Sequence, residues 1–145
     1  METIFSLSSL LVLPFWLLMI FAPGWQTTQR LLASPLVILA PALLYMVLVI
    51  PSLLELLPVL SNPDIQKLGV LLATPQGTTI AWVHFLAFDL FVGRWMYLDN
   101  LERRRHPLLM GMVLLTVLMF GPFGFVLYLA TGLLARGSAV AKAAK

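Results

Sequence analysis

The sequence predicts an all-α, polytopic membrane protein with four transmembrane helices, the fourth of which is kinked. Hydrophobic residues make up 61% of the 145 residues and charged residues only 10%, and the mean hydropathy is +0.99. Soluble globular domains carry roughly 25% charged residues, so this composition argues against a water-soluble domain. The charged residues also fall mostly between apolar stretches, as they do in membrane proteins.

Four apolar stretches are long enough to cross a bilayer, which takes about 17–25 helical residues. They comprise residues 4–21, 36–60, 78–98 and 108–134. Together they predict one four-helix transmembrane domain over residues 1–135, followed by a short, basic, mobile tail over residues 136–145. Almost no chain is left over for a soluble domain.

Proline and glycine mark where these helices begin and break. Ser34 followed by Pro35 is typical of an N-cap and a first helical position, so the second helix is expected to begin there. The fourth stretch has 27 residues, more than one untilted span requires, and it contains Gly-Pro-Phe-Gly at residues 121–124. Because proline removes a helical hydrogen bond, we expect a kink or an unwound turn at this element.

Charge and composition narrow the range of partners. The isoelectric point near 9.7 comes from lysines and arginines in the loops and the tail, where they meet lipid headgroups. We therefore expect membrane lipid as a partner and no nucleic acid. With no cysteine and two histidines, no metal cluster is expected. The start resembles neither a signal peptide nor a transit peptide, so we expect a bacterial-type or already processed protein.

The third stretch carries three ionisable residues, His84, Asp89 and Arg94. Such groups are costly at membrane depth and mark functional sites, which makes all three candidate catalytic residues. At about 100° per residue, Asp89 lies some 140° from both His84 and Arg94 around the helix, so the three form no single stripe. Asp89 is expected to face the bundle interior, paired with another helix or protonated as a proton donor.

Each candidate has a structural alternative. Asp89 would then join helices through a hydrogen bond, and Arg94 would extend to the membrane interface. His84 would be a hydrogen-bonded packing residue instead of an acid, a base or a pigment ligand. Glu55, near the end of the second helix, is a secondary candidate that would pair with Arg94 or His84 only if the bundle aligns their depths.

Aromatic residues are frequent in the third and fourth stretches, where they could line a groove for a long apolar ligand. Lipid-facing or packed aromatic side chains are the alternative interpretation. The candidate ligand-binding residues are Phe85, Phe88, Phe91, Trp95, Phe120, Phe123 and Tyr128.

Two motifs in these stretches carry a family resemblance over nearly the whole chain. They are His84-x4-Asp89-Leu-Phe-x-Gly-Arg94-Trp95 and Phe120-Gly-Pro-x-Gly-x3-Tyr128. The chain resembles the abscisic-acid-deficient-four-like family, whose plant members are plastid membrane proteins needed to make neoxanthin, an allenic carotenoid. The resemblance implies carotenoid as substrate or bound pigment.

The resemblance also implies a reaction, in which an epoxide opens while a proton leaves carbon and an allene forms. Such an isomerisation needs an acid and a base, and no redox cofactor or metal is required. On this interpretation Asp89 handles the proton, His84 complements it and Arg94 orients charge. The resemblance therefore predicts a cofactor-independent carotenoid isomerase.

A non-catalytic subunit is the competing hypothesis. It would hold carotenoid or chlorophyll against a larger photosynthetic membrane complex, a role that suits a chain with many aromatic residues and little soluble mass. A small transporter is a third interpretation, favoured by the broken helices but lacking the inverted repeats of many transporters.

Overall fold

The fold is all-α over the part of the chain that the structure describes, as predicted. The computed structural model describes the backbone of residues 1–143 and the side chains of residues 1–133. No strand occurs among these residues. The helices are α1 (Glu2–Phe21), α2 (Gln26–Ala33), α3 (Leu39–Val49), α4 (Leu53–Ser61), α5 (Ile65–Ala73), α6 (Pro75–Arg103), α7 (Pro107–Phe120) and α8 (Pro122–Ala143), with 3₁₀ turns at Pro35–Ile38 and Ile50–Ser52.

Two helical segments of the described residues, and not the four expected, are long and apolar enough to cross a membrane. They are Glu2–Phe21 and Pro35–Ser61. The third predicted span lies within the 29 residues of α6, where His84, Asp89 and Arg94 lower the hydropathy. The fourth is divided into the shorter apolar helices Pro107–Phe120 and Pro122–Leu133. By length and composition, two such segments indicate a membrane only weakly, because core helices of soluble proteins meet the same criterion.

The second predicted span begins where its sequence indicates. Ser34 is the N-cap, and its Oγ accepts a hydrogen bond of 3.3 Å from the Leu36 amide. The segment is not one regular helix, because its first turn and the turn at Ile50–Ser52 are 3₁₀. Pro35 and Pro51 lie at the start of these turns, where a residue without an amide hydrogen is tolerated.

The predicted break in the fourth span is confirmed and lies at Gly121. This residue has φ 45°, a left-handed conformation that glycine adopts without steric cost. Its amide donates to the Val117 carbonyl at 2.7 Å, which closes α7, and Pro122 then begins α8. Helix α8 includes residues 136–143 of the predicted tail. Residues 144–145 and all the side chains of that tail lie outside the described residues, so the tail and the single domain over residues 1–135 stay predictions.

The chain divides into two compact units, each built from separate stretches. The first comprises residues 1–15 and 34–90, and the second comprises residues 16–33 and 91–145. Leu48, Leu56, Ile80 and Val83 form the core of the first unit. The buried side chains of the second unit include Trp16, Met19, Met96, Leu114, Val117 and Tyr128.

The absence of a side chain at Gly93 lets the backbone of α6 approach the Trp16 ring closely inside the second unit. A Cβ atom at Gly93 would lie 2.4 Å from the indole ring, and Trp16 is only 1% exposed. We expect Gly93→Ala to lower the free energy of unfolding by about 1–2 kcal/mol, because overpacking outweighs the gain in helix propensity.

Gly69→Ala is the matched control. No atom lies within 4 Å of a Cβ at Gly69, so this change in α5 should raise stability by roughly 0.5–1 kcal/mol. Chemical denaturation in detergent micelles measures both variants. Equal effects of the two substitutions would contradict the packing of Gly93 against Trp16.

Candidate functional site

His84 lies among aromatic rings in the first unit. Its ring stacks on Phe88 with centroids 4.7 Å apart, and it meets Tyr45 at 5.3 Å and Phe85 at 6.1 Å. The imidazole is half-buried, whereas Phe85 and Phe88 are exposed. Phe85 and Phe88 of α6 and Tyr45 of α3 therefore surround the imidazole with aromatic rings, and Tyr45 is the neighbour that the pattern of α6 alone does not reveal.

Asp89 is half-buried, and its carboxylate makes no hydrogen bond or ion pair with a described residue. The helix partner expected for this side chain is not among its neighbours. Its role as a proton handler stays a prediction.

Arg94 binds backbone carbonyls at the end of α2. Its Nε donates to the Leu32 carbonyl at 2.7 Å and its Nη2 donates to the Ala33 carbonyl at 2.8 Å. The last carbonyls of a helix lack partners within the helix and carry partial negative charge. The guanidinium therefore caps α2, which is a clear structural task for this side chain. His84, Asp89 and Arg94 thus have different surroundings, and their catalytic roles stay predictions.

Glu55 is exposed and lines a cavity of ≈ 410 Å³ in the first unit. Ser52 and Gln76 lie in the same wall, where the Gln76 amide donates to Ser52 Oγ at 2.5 Å. Neither Arg94 nor His84 is among the residues that line this cavity. Glu55 therefore stays a secondary candidate.

Part of the predicted aromatic set comes together in the second unit. The ring of Trp95 meets those of Phe125 and Tyr128 at 5.9 and 5.8 Å. Phe120 and Phe123 form a separate edge-to-face pair at 6.5 Å. Both rings of this pair are exposed, so the structure does not place them beside Trp95.

A polar cluster adjoins Trp95 and is formed by Asp99, Arg103, Arg105 and Tyr128. The Tyr128 hydroxyl donates to Asp99 Oδ2, and Arg103 Nε donates to the same oxygen at 2.5 Å. Arg105 Nη1 donates to the Tyr128 carbonyl at 3.3 Å and to Thr131 Oγ1 at 2.9 Å. The Arg105 guanidinium carbon also lies 4.3 Å from the Tyr128 ring centroid. We call these four residues the Asp99 cluster.

The charges of the Asp99 cluster keep its carboxylate ionised. The hydrogen bond from Arg103 holds the pKa of Asp99 below its ordinary value of 3.8, partial burial opposes this, and the Tyr128 hydroxyl also lowers it. At neutral pH the cluster therefore combines one carboxylate, two guanidinium groups and one buried phenol.

Two cavities meet at Trp95. The Asp99 cluster, Leu129, Gly132 and Leu133 surround a cavity of ≈ 270 Å³ that Trp95 also lines. We call it the polar cavity for its charged side chains, although most of its lining is apolar. The aromatic cleft, with a volume of ≈ 350 Å³, is lined by Phe91, Val92, Trp95 and Phe125. The two cavities share Trp95, so this indole adjoins both a cleft lined by apolar side chains and a cavity that contains charged side chains.

Sequence reasoning missed most of the Asp99 cluster. The run Arg103–Arg105 has the pattern of a solvated, orienting loop, and Asp99 has that of the end of the third helix. The i,i+4 spacing of Asp99 and Arg103 was the available local signal. No group of three or more His, Asp or Glu residues able to hold a metal ion occurs among the described residues.

The capping of α2 by Arg94 can be tested with Arg94→Lys. Lysine keeps the charge but lacks the planar fork that reaches two carbonyls. We expect the variant to lose about 1.5–3 kcal/mol of unfolding free energy, which is typical of a hydrogen bond to a charged group. Thermal unfolding in micelles is the measurement.

Arg30→Lys is the control for this change, because Arg30 is an exposed arginine on α2, the helix that Arg94 caps. It should change the unfolding free energy by no more than about 0.5 kcal/mol. Equal stability of the two variants would argue against capping by Arg94.

Comparison with known proteins identifies the family. The family model described as ABA DEFICIENT 4-like matches residues 3–128. The chain is 28% identical over 139 residues to Protein ABA DEFICIENT 4, chloroplastic, of Arabidopsis thaliana, with 90% of this chain and 60% of that protein covered. The chain thus spans about 60% of that relative's length, and no solved structure matches. The family model covers both sequence motifs, and the chain belongs to the ABA DEFICIENT 4-like family.

Proposed function

We propose that this chain is an integral membrane protein of xanthophyll metabolism that binds a carotenoid in the aromatic cleft and isomerises an epoxide to an allene. The single observation that carries the proposal is that Trp95 lines both the aromatic cleft and the cavity formed by the Asp99 cluster. Family membership supplies the ligand class, through the carotenoid chemistry that the resemblance implies.

Exposed apolar side chains support four membrane spans. The two clearest spans have mean hydropathies of 2.3 and 2.5, yet only 22% of each is buried. The helices of the other two proposed spans also expose large apolar side chains. Examples are Phe85, Phe88, Phe91, Met112, Met119, Phe123, Val126 and Leu133. Contiguous apolar surface of this kind is unfavourable in water and is covered by acyl chains in a bilayer.

The ligand fit follows from the two cavities. A polyene is flat and apolar, so it packs well against the rings of Phe91, Trp95 and Phe125. Its oxygenated end ring then enters the polar cavity beside Asp99 and Tyr128. The reaction is an isomerisation, so substrate and product contain the same atoms and the balance includes no oxidant or reductant. Asp89, His84 and Arg94 remain the catalytic candidates that the sequence motif proposes.

A pigment-binding subunit is the second candidate function, and the surroundings of His84 favour it. The exposed rings of Phe85 and Phe88 flank the half-buried imidazole. This surface suits a pigment or a larger photosynthetic membrane complex. In either role we propose a photosynthetic membrane, such as a bacterial or cyanobacterial thylakoid or plasma membrane, as the location.

Single cysteines test the number of spans, because the natural chain contains none. Thr27→Cys, Gln66→Cys and Glu102→Cys place thiols at exposed positions in three connections. Four spans put the first and third of these thiols on one side of the membrane and the second on the other. Two spans, formed by Glu2–Phe21 and Pro35–Ser61 alone, would put the third thiol on the same side as the second.

Labelling with a membrane-impermeant maleimide, before and after the membrane is opened, distinguishes these arrangements. Cysteine-free wild type is the blank. If all three thiols react fully both before and after the membrane is opened, the result would contradict an integral membrane protein.

Carotenoid turnover tests the function itself. In membranes that contain a 5,6-epoxy xanthophyll, the wild type should produce an allenic isomer of unchanged mass, measured by chromatography and absorption. Trp95→Ala and Phe125→Ala should weaken ligand binding roughly tenfold to a hundredfold, because each removes about 1.5–3 kcal/mol of apolar burial.

Phe21→Ala is the control. The Phe21 ring on α1 is 78% exposed, so its removal should leave turnover unchanged. Pigment that purifies with the wild type without any isomer would favour the binding subunit. A preparation that neither binds nor converts the xanthophyll would contradict both functions.

A further inference from the structure

The two oxygens of the Asp99 carboxylate have different surroundings. Oδ2 accepts hydrogen bonds from both Tyr128 and Arg103. Oδ1 accepts none from a described residue. The carboxylate and the phenol both line the polar cavity of ≈ 270 Å³. An acceptor oxygen without a described partner and a hydroxyl group hydrogen-bonded to the same carboxylate therefore lie side by side in a cavity that shares Trp95 with the aromatic cleft.

We propose that Tyr128 and Asp99 are the catalytic acid and base of the isomerisation and that the polar cavity binds the epoxidised end ring of a xanthophyll. This assignment rests on the proposed function. It places the chemistry at the end of α6, and not at the mid-span residue Asp89 that the sequence favours.

The step balances within the substrate and the pair. When substrate binds, the Tyr128 hydroxyl turns from Asp99 Oδ2 to the epoxide oxygen. It gives that oxygen its proton as the bond from oxygen to the ring carbon that bears the polyene breaks. The positive charge that develops on this carbon is delocalised along the polyene. Oδ1 of Asp99 then takes the proton from the adjacent chain carbon, and that C–H electron pair forms the second double bond of the allene.

The hydrogen bond between Tyr128 and Asp99 lets the two side chains return to their starting protonation states. After one turnover Tyr128 is a phenolate and Asp99 is a carboxylic acid. Because the two side chains are directly hydrogen-bonded, the proton returns from Asp99 to Tyr128. The net result moves one proton from carbon to oxygen, so no external acid, base, oxidant or reductant enters the balance.

The two arginines stabilise the negative charges on Tyr128 and Asp99 during this cycle. Arg105 lies over the Tyr128 ring, where a cation stabilises the developing phenolate. Arg103 binds Asp99 Oδ2 and keeps the carboxylate ionised until it accepts the carbon proton. The apolar side chains of Leu129 and Leu133 complete the lining of the cavity.

Turnover by Tyr128→Phe and Asp99→Asn tests the assignment, with the 5,6-epoxy xanthophyll as probe. Each variant should lower the rate of allene formation about 10²–10⁴-fold, the usual contribution of a positioned acid or base. The double variant should be little worse than the slower single variant, because the two residues act as a unit. The amount of bound xanthophyll should change far less than the rate, which separates catalysis from binding.

Asp64→Asn is the matched control. Asp64 is the exposed N-cap of α5, a position that asparagine fills equally well. This control should keep the wild-type rate. If Asp99→Asn fails to fold, Tyr128→Phe decides alone, since it removes a single oxygen atom.

The outcomes separate the assignment from the function on which it rests. An active wild type with active Tyr128→Phe and Asp99→Asn overturns the acid–base pair and leaves the isomerase standing. Loss of activity in Asp89→Asn with retained activity in Asp99→Asn overturns the pair in favour of the mid-span carboxylate. A wild type that forms no allene overturns both the pair and the proposed function.

Discussion

The attachment of α6 to backbone carbonyls in the second unit is the constraint on which the candidate site depends. Arg94 binds the last carbonyls of α2, and the Tyr97 hydroxyl donates to the Pro23 carbonyl at 2.7 Å. These two residues are three positions apart and share one face of the helix. These contacts fix how α6 is rotated about its axis. A neighbouring face of the helix carries Phe91, Trp95 and Asp99 at four-residue intervals, and it therefore points toward the two cavities that these residues line.

The break at Gly121 supplies the other wall. It lets the chain turn between α7 and α8, and a Cβ at Gly124 would lie only 2.4 Å from the Val117 amide nitrogen, so the two helices pack closely there. Helix α8 then presents a stripe to Trp95 and the Asp99 cluster. The stripe comprises Phe125, Tyr128, Leu129 and Gly132, at the three- and four-residue spacing of one helical face.

Local signals in the sequence predicted the local features. Ser34-Pro35 predicted the start of the second span, the glycine–proline element at residues 121–124 predicted the break, and the all-helical fold followed from hydropathy. The Asp99 cluster was not predictable in this way, because Arg105 meets Tyr128 across 23 residues of sequence. Hydropathy measures each segment separately, so it treats Arg103–Arg105 as one solvated run although the structure gives Arg103 and Arg105 different partners. The same limitation led to the expectation of four transmembrane spans, where two helical segments of the described residues are long and apolar enough.

The position of the Asp99 cluster at a helix end also suits the charges that the proposed reaction requires. An ionised group is costly in the middle of a bilayer and far less costly near its surface. A xanthophyll has the same polarity pattern, with an apolar polyene and oxygenated end rings. A site in which Phe91 and Trp95 contact the polyene while Asp99 and Tyr128 contact the ring therefore matches both the substrate and the membrane.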